Sequence, residues 1–170
     1  MFWNEVRRND MILIEGLVAC FLLLITCVVG IANGPVSLMS LYEKEVQDRV
    51  VEKGLITREK IKRNANYFKL FGILPFFIFV LVAVYGINGA RGFWEGFWQI
   101  CVILLMEGLF DRLFIDWYWV GKTKAWIIPG TEDLMPYIYG KTLIGKWVIT
   151  LVGYPVIAAV LSLIMSLILK

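Results

Sequence analysis

Residues 107–116 place four ionisable side chains, those of Glu107, Asp111, Arg112 and Asp116, at the end of an apolar run. An ionised group in the middle of a bilayer costs about 2.5–3.5 kcal/mol, whereas a Leu or Ile returns only about 0.3–0.6 kcal/mol. The four groups must therefore be shielded by protein or lie close to the membrane surface. This segment is where the sequence could do chemistry.

Helical spacing divides the four groups into two pairs. At about 100° per residue, Glu107 and Asp111 share one face of a helix. Arg112 and Asp116 share another face, so the sequence neighbours Asp111 and Arg112 are not expected to meet. Asp116 lies close to the membrane surface, where Arg112 can reach it along the helix. We interpret Arg112 and Asp116 as a structural ion pair.

Glu107 and Asp111 lie deeper, and no base in another predicted span is available to neutralise them. Unpaired acids inside a membrane indicate a functional site. We interpret this pair as a site that binds a proton or a cation. The sequence leaves the identity of any metal open. The alternative is that one or both acids are protonated and hydrogen-bonded within a helix interface. The candidate partners are Thr26, Tyr85, Thr150 and Tyr154. Glu15 is a third acid, but it is predicted roughly 7 Å inside the opposite membrane boundary. A compact site of three carboxylates is therefore not expected.

The composition predicts the elements that must position these groups. The chain has 170 residues, of which 59% are hydrophobic and 15% aromatic, and its mean hydropathy is +0.73. A soluble domain does not need so much apolar surface, so we expect an integral membrane protein. Four runs reach the length of about 20 residues that a spanning helix needs. They cover residues 11–32, 67–87, 93–119 and 147–169.

The distribution of Lys and Arg predicts the topology, because cytoplasmic connections carry the excess of bases. Most of the 17 bases fall between spans one and two or between spans three and four. The opposite side holds only Arg7, Arg8, Arg91 and Lys170. Both termini are therefore expected outside.

The two basic connections differ in character. Residues 40–66 alternate charges at helical spacing, with Thr57 as a helix N-cap, and predict a short helical hairpin. The second connection is apolar and aromatic, and it is expected to dip into the interface or to pack on the bundle. Its lysines, Lys122 and Lys124, are candidates for binding an anionic headgroup. His is absent from the chain, and Cys20, Cys27 and Cys101 form no motif, so no cofactor is expected.

Three stretches, "GINGARGFW", "LFDRLFIDWYWVGKTKAWIIPGTEDLMPY" and "KGLITREKIKRN", resemble segments of small polytopic bacterial membrane proteins of uncharacterised function. The resemblance runs over most of the chain from the first connection onward. It implies a bacterial inner (cytoplasmic) membrane, and it implies no activity, ligand or catalytic residue.

The sequence thus predicts one all-α membrane domain over residues 1–170, a bundle of four transmembrane helices with a helical hairpin between the first two. Three functions stay open. The first is a small oligomeric transporter or ion pathway that uses Glu107 and Asp111. The second is an accessory or assembly subunit of a larger membrane complex. The third is a lipid-active enzyme, although no nucleophile motif favours it. The expected partners are the lipid bilayer and either further copies or a larger membrane protein, and nucleic acid is not among them.

Overall fold

The fold is built from four long helices and one short one. The computed structural model describes the backbone of residues 2–169 and the side chains of residues 10–169. This part of the chain is all-α and 84% helical. The side chains of Arg7, Arg8 and Lys170, which were counted in predicting the topology, lie outside the described part of the chain. The helices are α1 (Phe2–Ile31), α2 (Lys44–Glu52), α3 (Arg58–Ile87), α4 (residues 92–120) and α5 (Gly140–Ile168).

Among the described residues, three helices are long and apolar enough to cross a membrane, namely Asp10–Ile31, Arg58–Ile87 and Gly140–Ile168. These correspond to the first, second and fourth predicted spans, and they mark the chain as a membrane protein. The third predicted span, residues 93–119, lies within α4 and is not among them. This helix packs against α1, α3 and α5, and most of its charged side chains are buried.

Contacts along α4 define the direction of its neighbours. Toward its start, Ser162 of α5 contacts Phe93, and toward its end, Lys146 contacts Asp116. Helices α4 and α5 are therefore antiparallel. The helices α3 and α4 are joined by a tight connection at residues 88–91, which we call the turn end of the bundle. The opposite end, where residues 32–57 and 121–139 lie, is the loop end.

Proline explains two irregular turns in the long helices. A proline has no N–H to donate to the preceding turn, and its ring crowds the carbonyl four residues before it. Pro75 in α3 follows the π-helical segment Lys69–Ile73, and Pro155 in α5 follows the π-helical segment Ile149–Gly153. The end of α4 is also π-helical, over Asp111–Val120. Such wide turns change which side chains face each other.

The loop end has its own apolar core, formed by the two connections and the adjoining ends of the long helices. Residues of the second connection, Trp126, Ile128 and Tyr137, are fully buried against Met39 and Val46. The hydroxyl of Tyr137 accepts a hydrogen bond from the Ile128 N–H at 2.9 Å. This connection packs on the bundle, as its apolar composition predicted. In the first connection, α3 begins at Arg58, and the Thr57 hydroxyl caps it by accepting from the Lys60 N–H at 3.3 Å.

Candidate functional site

Four charged side chains meet inside the bundle near the loop end, and we call them the balanced cluster: Asp111, Arg112, Asp116 and Lys146. Arg112 contacts Asp111, and its Nη1 lies 2.6 Å from Asp116 Oδ2. From α5, Lys146 Nζ donates to Asp116 Oδ1 at 2.8 Å. Arg112 is 6% exposed and Asp116 is 5% exposed. Two bases and two acids therefore offset each other where water has little access.

The balanced cluster differs in two ways from the sequence-based expectation. Arg112 contacts Asp111 as well as Asp116, although an α-helix would turn the neighbours Asp111 and Arg112 apart. The reason is the π-helical turn at Asp111–Val120, which is wider than an α-helical turn and brings consecutive side chains closer in angle. Lys146 also supplies a base that was not expected. It precedes the fourth predicted span by one residue, and its long side chain reaches back into the bundle.

Glu107 does not belong to the balanced cluster and has a different hydrogen-bond partner. The Tyr154 hydroxyl of α5 donates to Glu107 Oε2 at 3.1 Å, and Glu107 is 6% exposed. Among the described side chains, no base forms an ion pair with it. The next residue, Gly108, lets α5 come close: a Cβ there would lie 2.6 Å from Tyr154 Cε2. Glu107 and Asp111, predicted as one site, thus have different partners.

A cavity of about 240 Å³ reaches the balanced cluster from the loop end. The loop-end core contributes Tyr42 and Trp126 to its wall, and the bundle contributes Asp116, Lys146 and Tyr154. Burial raises the pKa of the Tyr42 phenol, so this side chain presents a neutral hydroxyl. The cavity joins the loop end to the tyrosine that holds Glu107.

A second polar group of side chains, Glu15, Asn88 and Gln99, lies near the turn end, and we call it the Glu15 cluster. Asn88 Nδ2 donates to Glu15 Oε2 at 2.9 Å and to Gln99 Oε1 at 3.0 Å. Glu15 Oε1 and Gln99 Nε2 are buried and find no hydrogen-bond partner among the described atoms. Helices α1 and α4 and the connection between α3 and α4 thus bring together one acid and two amides without a described base.

The two clusters are separated by an apolar layer. Ile100, Ile103 and Leu104 of α4 are fully buried between Gln99 and Glu107 along the helix. Glu15 therefore joins neither Glu107 nor the balanced cluster. This agrees with the expectation that the three acids do not share a compact site.

The predicted headgroup lysines lie away from the buried acids. Lys122 is exposed, and its Nζ sits 3.8 Å from the centre of the Trp117 ring in a cation–π contact. Lys124 is exposed at the start of a short 3-10 helix. Neither joins a carboxylate in the arrangement that a lipid-active enzyme would need. Within the part of the chain that the structure describes, no three His, Cys, Asp or Glu side chains group as metal ligands.

Sequence reasoning missed Lys146, Asn88 and Gln99 as members of these clusters. Lys146 could have been found from its position at a span boundary, where a lysine stem commonly lies along apolar surface. Gln99 could have been found as a polar side chain inside a predicted span. Asn88 gave no signal, since Asn is ordinary in a turn between helices.

Comparisons with protein-family models, with curated proteins and with solved structures find no match for this chain.

Proposed function

We propose that the chain is a four-span protein of a bacterial inner membrane, with its loop end in the cytoplasm and both termini outside. We further propose that it acts as a small oligomeric ion pathway with Glu107 as its proton- or cation-binding group. The excess of Lys and Arg in the two loop-end connections supports this orientation. The resemblance to small bacterial membrane proteins supports the setting.

The packing of α4 supports its assignment as a spanning helix, which would bring the number of spans to four. The polar residues that lower its hydropathy are largely turned into the bundle, including Gln99, Glu107 and Arg112, each of which is 6% exposed or less. Three apolar helices pack around these groups and present exposed Leu, Ile, Val and Phe side chains to the outside. A helix shielded in this way can cross a bilayer despite its charges, because polar groups in membranes face the protein interior.

One observation carries the functional proposal: Glu107 is a buried carboxyl that accepts from the neutral Tyr154 hydroxyl, and among the described side chains no base forms an ion pair with it. Asp111 and Asp116 are already offset by Arg112 and Lys146, so they need nothing further. An ionised Glu107 without a counter-charge is costly inside a membrane. Binding a proton or a cation removes that cost. We therefore assign the binding role to Glu107 and give Asp111 a structural role in the balanced cluster.

The cavity extends toward Glu107 from one side, and we infer that a proton or cation would approach by it. It leads from the loop end past Asp116 and Lys146 to Tyr154, whose hydroxyl donates to Glu107. Beyond Glu107, the layer of Ile100, Ile103 and Leu104 closes the route toward the turn end. Passage through the protein thus requires these residues to move apart, or a route along an interface between copies.

Proton flux into proteoliposomes tests the proposal. The purified protein is reconstituted with a pH-sensitive dye inside the vesicles, and potassium with valinomycin prevents charge from building up. We expect the parent protein to dissipate a pH gradient faster than protein-free vesicles, and Glu107→Gln to abolish that difference. Glu52→Gln, a change at an exposed acid of α2, is the matched control and should keep the parent rate.

Two results would contradict the proposed ion pathway. One is a parent rate equal to that of empty vesicles, for protons and for added monovalent cations alike. The other is a Glu107→Gln rate equal to the parent rate. The accessory-subunit alternative would then be favoured.

A further inference from the structure

A groove between α1 and α3 opens sideways on the outer surface of the bundle near the loop end. Its volume is about 420 Å³, within the range of roughly 300–1,000 Å³ that is common for small-molecule sites. The side chains along its edges are exposed: Val29 is 68% exposed and Phe71 is 70% exposed. The groove thus faces the place where the lipid of that leaflet lies.

The sequence of α3 explains why the helices part at this point. Gly72 allows a close approach to α1 at the deep end, since a Cβ there would lie 3.0 Å from Thr26 Cγ2. The π-helical turn before Pro75 then widens α3 over Lys69–Ile73. Toward the loop end, the groove lies between the two helices and is lined by residues of both.

The lining of the groove changes from apolar to polar along its length. The deep end is lined by Ile25, Val29 and Phe71, which lie within the spanning parts of α1 and α3. The end near the loops is lined by polar side chains, namely Asn33, Ser37 and Asn64. Asn64 Nδ2 donates to the Ser37 carbonyl at 3.0 Å and fixes this end. Such a gradient matches a molecule with an apolar chain and a polar head.

Two bases lie close to the polar end along α3. Lys60 precedes Asn64 by four residues and Arg63 precedes Tyr67 by four, so each base lies on the same side of α3 as that lining residue and one turn closer to the loop end. Both side chains are exposed, and neither takes part in a described ion pair. Bases placed at a membrane surface attract anionic lipid headgroups.

We propose that this groove binds one anionic glycerophospholipid from the leaflet at the loop end. One acyl chain lies along Ile25, Val29 and Phe71, and the headgroup phosphate lies between the polar end of the groove and Lys60 with Arg63. The site is separate from Glu107 and independent of the proposed ion pathway. It also differs from the headgroup position predicted at Lys122 and Lys124, which lie in the second connection.

Thermal unfolding of delipidated protein in mild detergent tests the proposal. Phosphatidylglycerol should raise the unfolding temperature at lower lipid concentrations than phosphatidylcholine with the same acyl chains. Val29→Trp, which fills the groove, should remove the response to phosphatidylglycerol. Val156→Trp is the matched control, because Val156 is 56% exposed on the lipid-facing side of α5, and it should keep the response.

The double variant Lys60→Gln with Arg63→Gln tests the headgroup contact. We expect its half-maximal response to phosphatidylglycerol to need about thirtyfold more lipid, with the response to phosphatidylcholine unchanged. Lys124→Gln with Lys141→Gln removes two other exposed bases of the loop end and should leave both responses unchanged. Since all four changes are at exposed positions, this pair of variants decides the question even where a tryptophan variant fails to fold.

Native mass spectrometry of the parent protein gives the stoichiometry. We expect one retained phosphatidylglycerol per chain, and none in Val29→Trp. Equal responses of Val29→Trp and Val156→Trp would overturn the groove as the site. Equal loss of affinity in the two double variants would reduce the interaction to general charge at the loop end and would also overturn the proposal.

Discussion

The two buried polar clusters of this protein handle charge in opposite ways. In the balanced cluster, Asp111 and Asp116 are met by Arg112 and Lys146, so every charge has a partner of opposite sign. In the Glu15 cluster, the carboxylate accepts from the Asn88 amide, which also donates to Gln99, and no described base pairs with it. Both clusters lie on α4, on either side of a fully buried apolar layer. The difference shows that a polar residue inside a span does not have one meaning, because its partners decide its role.

The comparison makes stability predictions that differ between the clusters. Removing one member of a balanced set leaves a buried charge without a partner, which is strongly destabilising. Neutralising an acid that has no counter-charge removes a cost and keeps the hydrogen bonds, so it should change little.

The largest effect is expected for Arg112→Met. Arg112 is the only described base that contacts both Asp111 and Asp116, so its loss leaves the cluster with an uncompensated negative charge. We expect a loss of about 3–5 kcal/mol in the free energy of unfolding, and less folded protein in the membrane. Unfolding in mixed micelles measures the loss.

Adding Asp111→Asn to Arg112→Met restores neutrality, since Lys146 still pairs with Asp116. The double variant should recover much of the lost stability. Equal damage from the single and double variants would show that Asp111 has another partner.

A smaller effect is expected for Lys146→Met. Asp116 then loses one charged hydrogen bond but keeps Arg112 at 2.6 Å. The expected loss is about 1.5–3 kcal/mol, measured in the same unfolding experiment. Lys141→Met, one turn earlier and exposed, is the matched control and should unfold like the parent. A loss as large as that of Arg112→Met would mean that Lys146 is the main partner of Asp116.

Glu15→Gln is expected to change the stability by less than about 1 kcal/mol. The amide oxygen of Gln still accepts from Asn88 Nδ2, and the buried charge disappears. This is the sharpest contrast with Arg112→Met, because both changes neutralise one buried ionisable group. Destabilisation comparable to that of Arg112→Met would reveal a counter-charge for Glu15, such as a bound cation or a base of another chain.

The smallest effect is expected at an acid outside the bundle, Glu43, which ties the first connection to the start of α5. Hydrogen bonding by Thr142, through its hydroxyl and its backbone N–H, lowers the pKa of Glu43. A carboxyl whose pKa is lowered by folding stabilises the folded protein at pH values above its ordinary pKa. This contribution disappears as the pH falls through the lowered pKa. Glu43→Gln should therefore lose a little stability at neutral pH and nothing at strongly acidic pH. Thermal unfolding from pH 7 down to about pH 3 checks this, with Glu52→Gln as the control. A difference between Glu43→Gln and the parent that persists at the acidic end would assign the contribution to something other than the carboxylate.

The sequence predicted much of the helical framework but only part of the candidate site. Thr57 was recognisable as a cap because an N-cap bonds within its own first turn. Tyr154 could be named only as one of several possible partners of Glu107, since spacing says nothing about which residue of another helix lies opposite. The contact between Asp111 and Arg112 was not predicted, because regular α-helical turns place neighbouring side chains far apart. The end of α4 is π-helical instead.

By itself, the sequence predicted an all-α membrane chain with four spans, and the all-α fold and three helices long and apolar enough to cross a membrane are confirmed. Hydrophobicity and helix capping are local properties, so they can be read from consecutive residues. Only the tertiary structure decided that Lys146 reaches Asp116, that Asn88 joins Glu15 to Gln99, and that Tyr154 donates to Glu107. These contacts join residues far apart in the chain, and their existence depends on which helices pack together, at what depth, and with which faces turned inward.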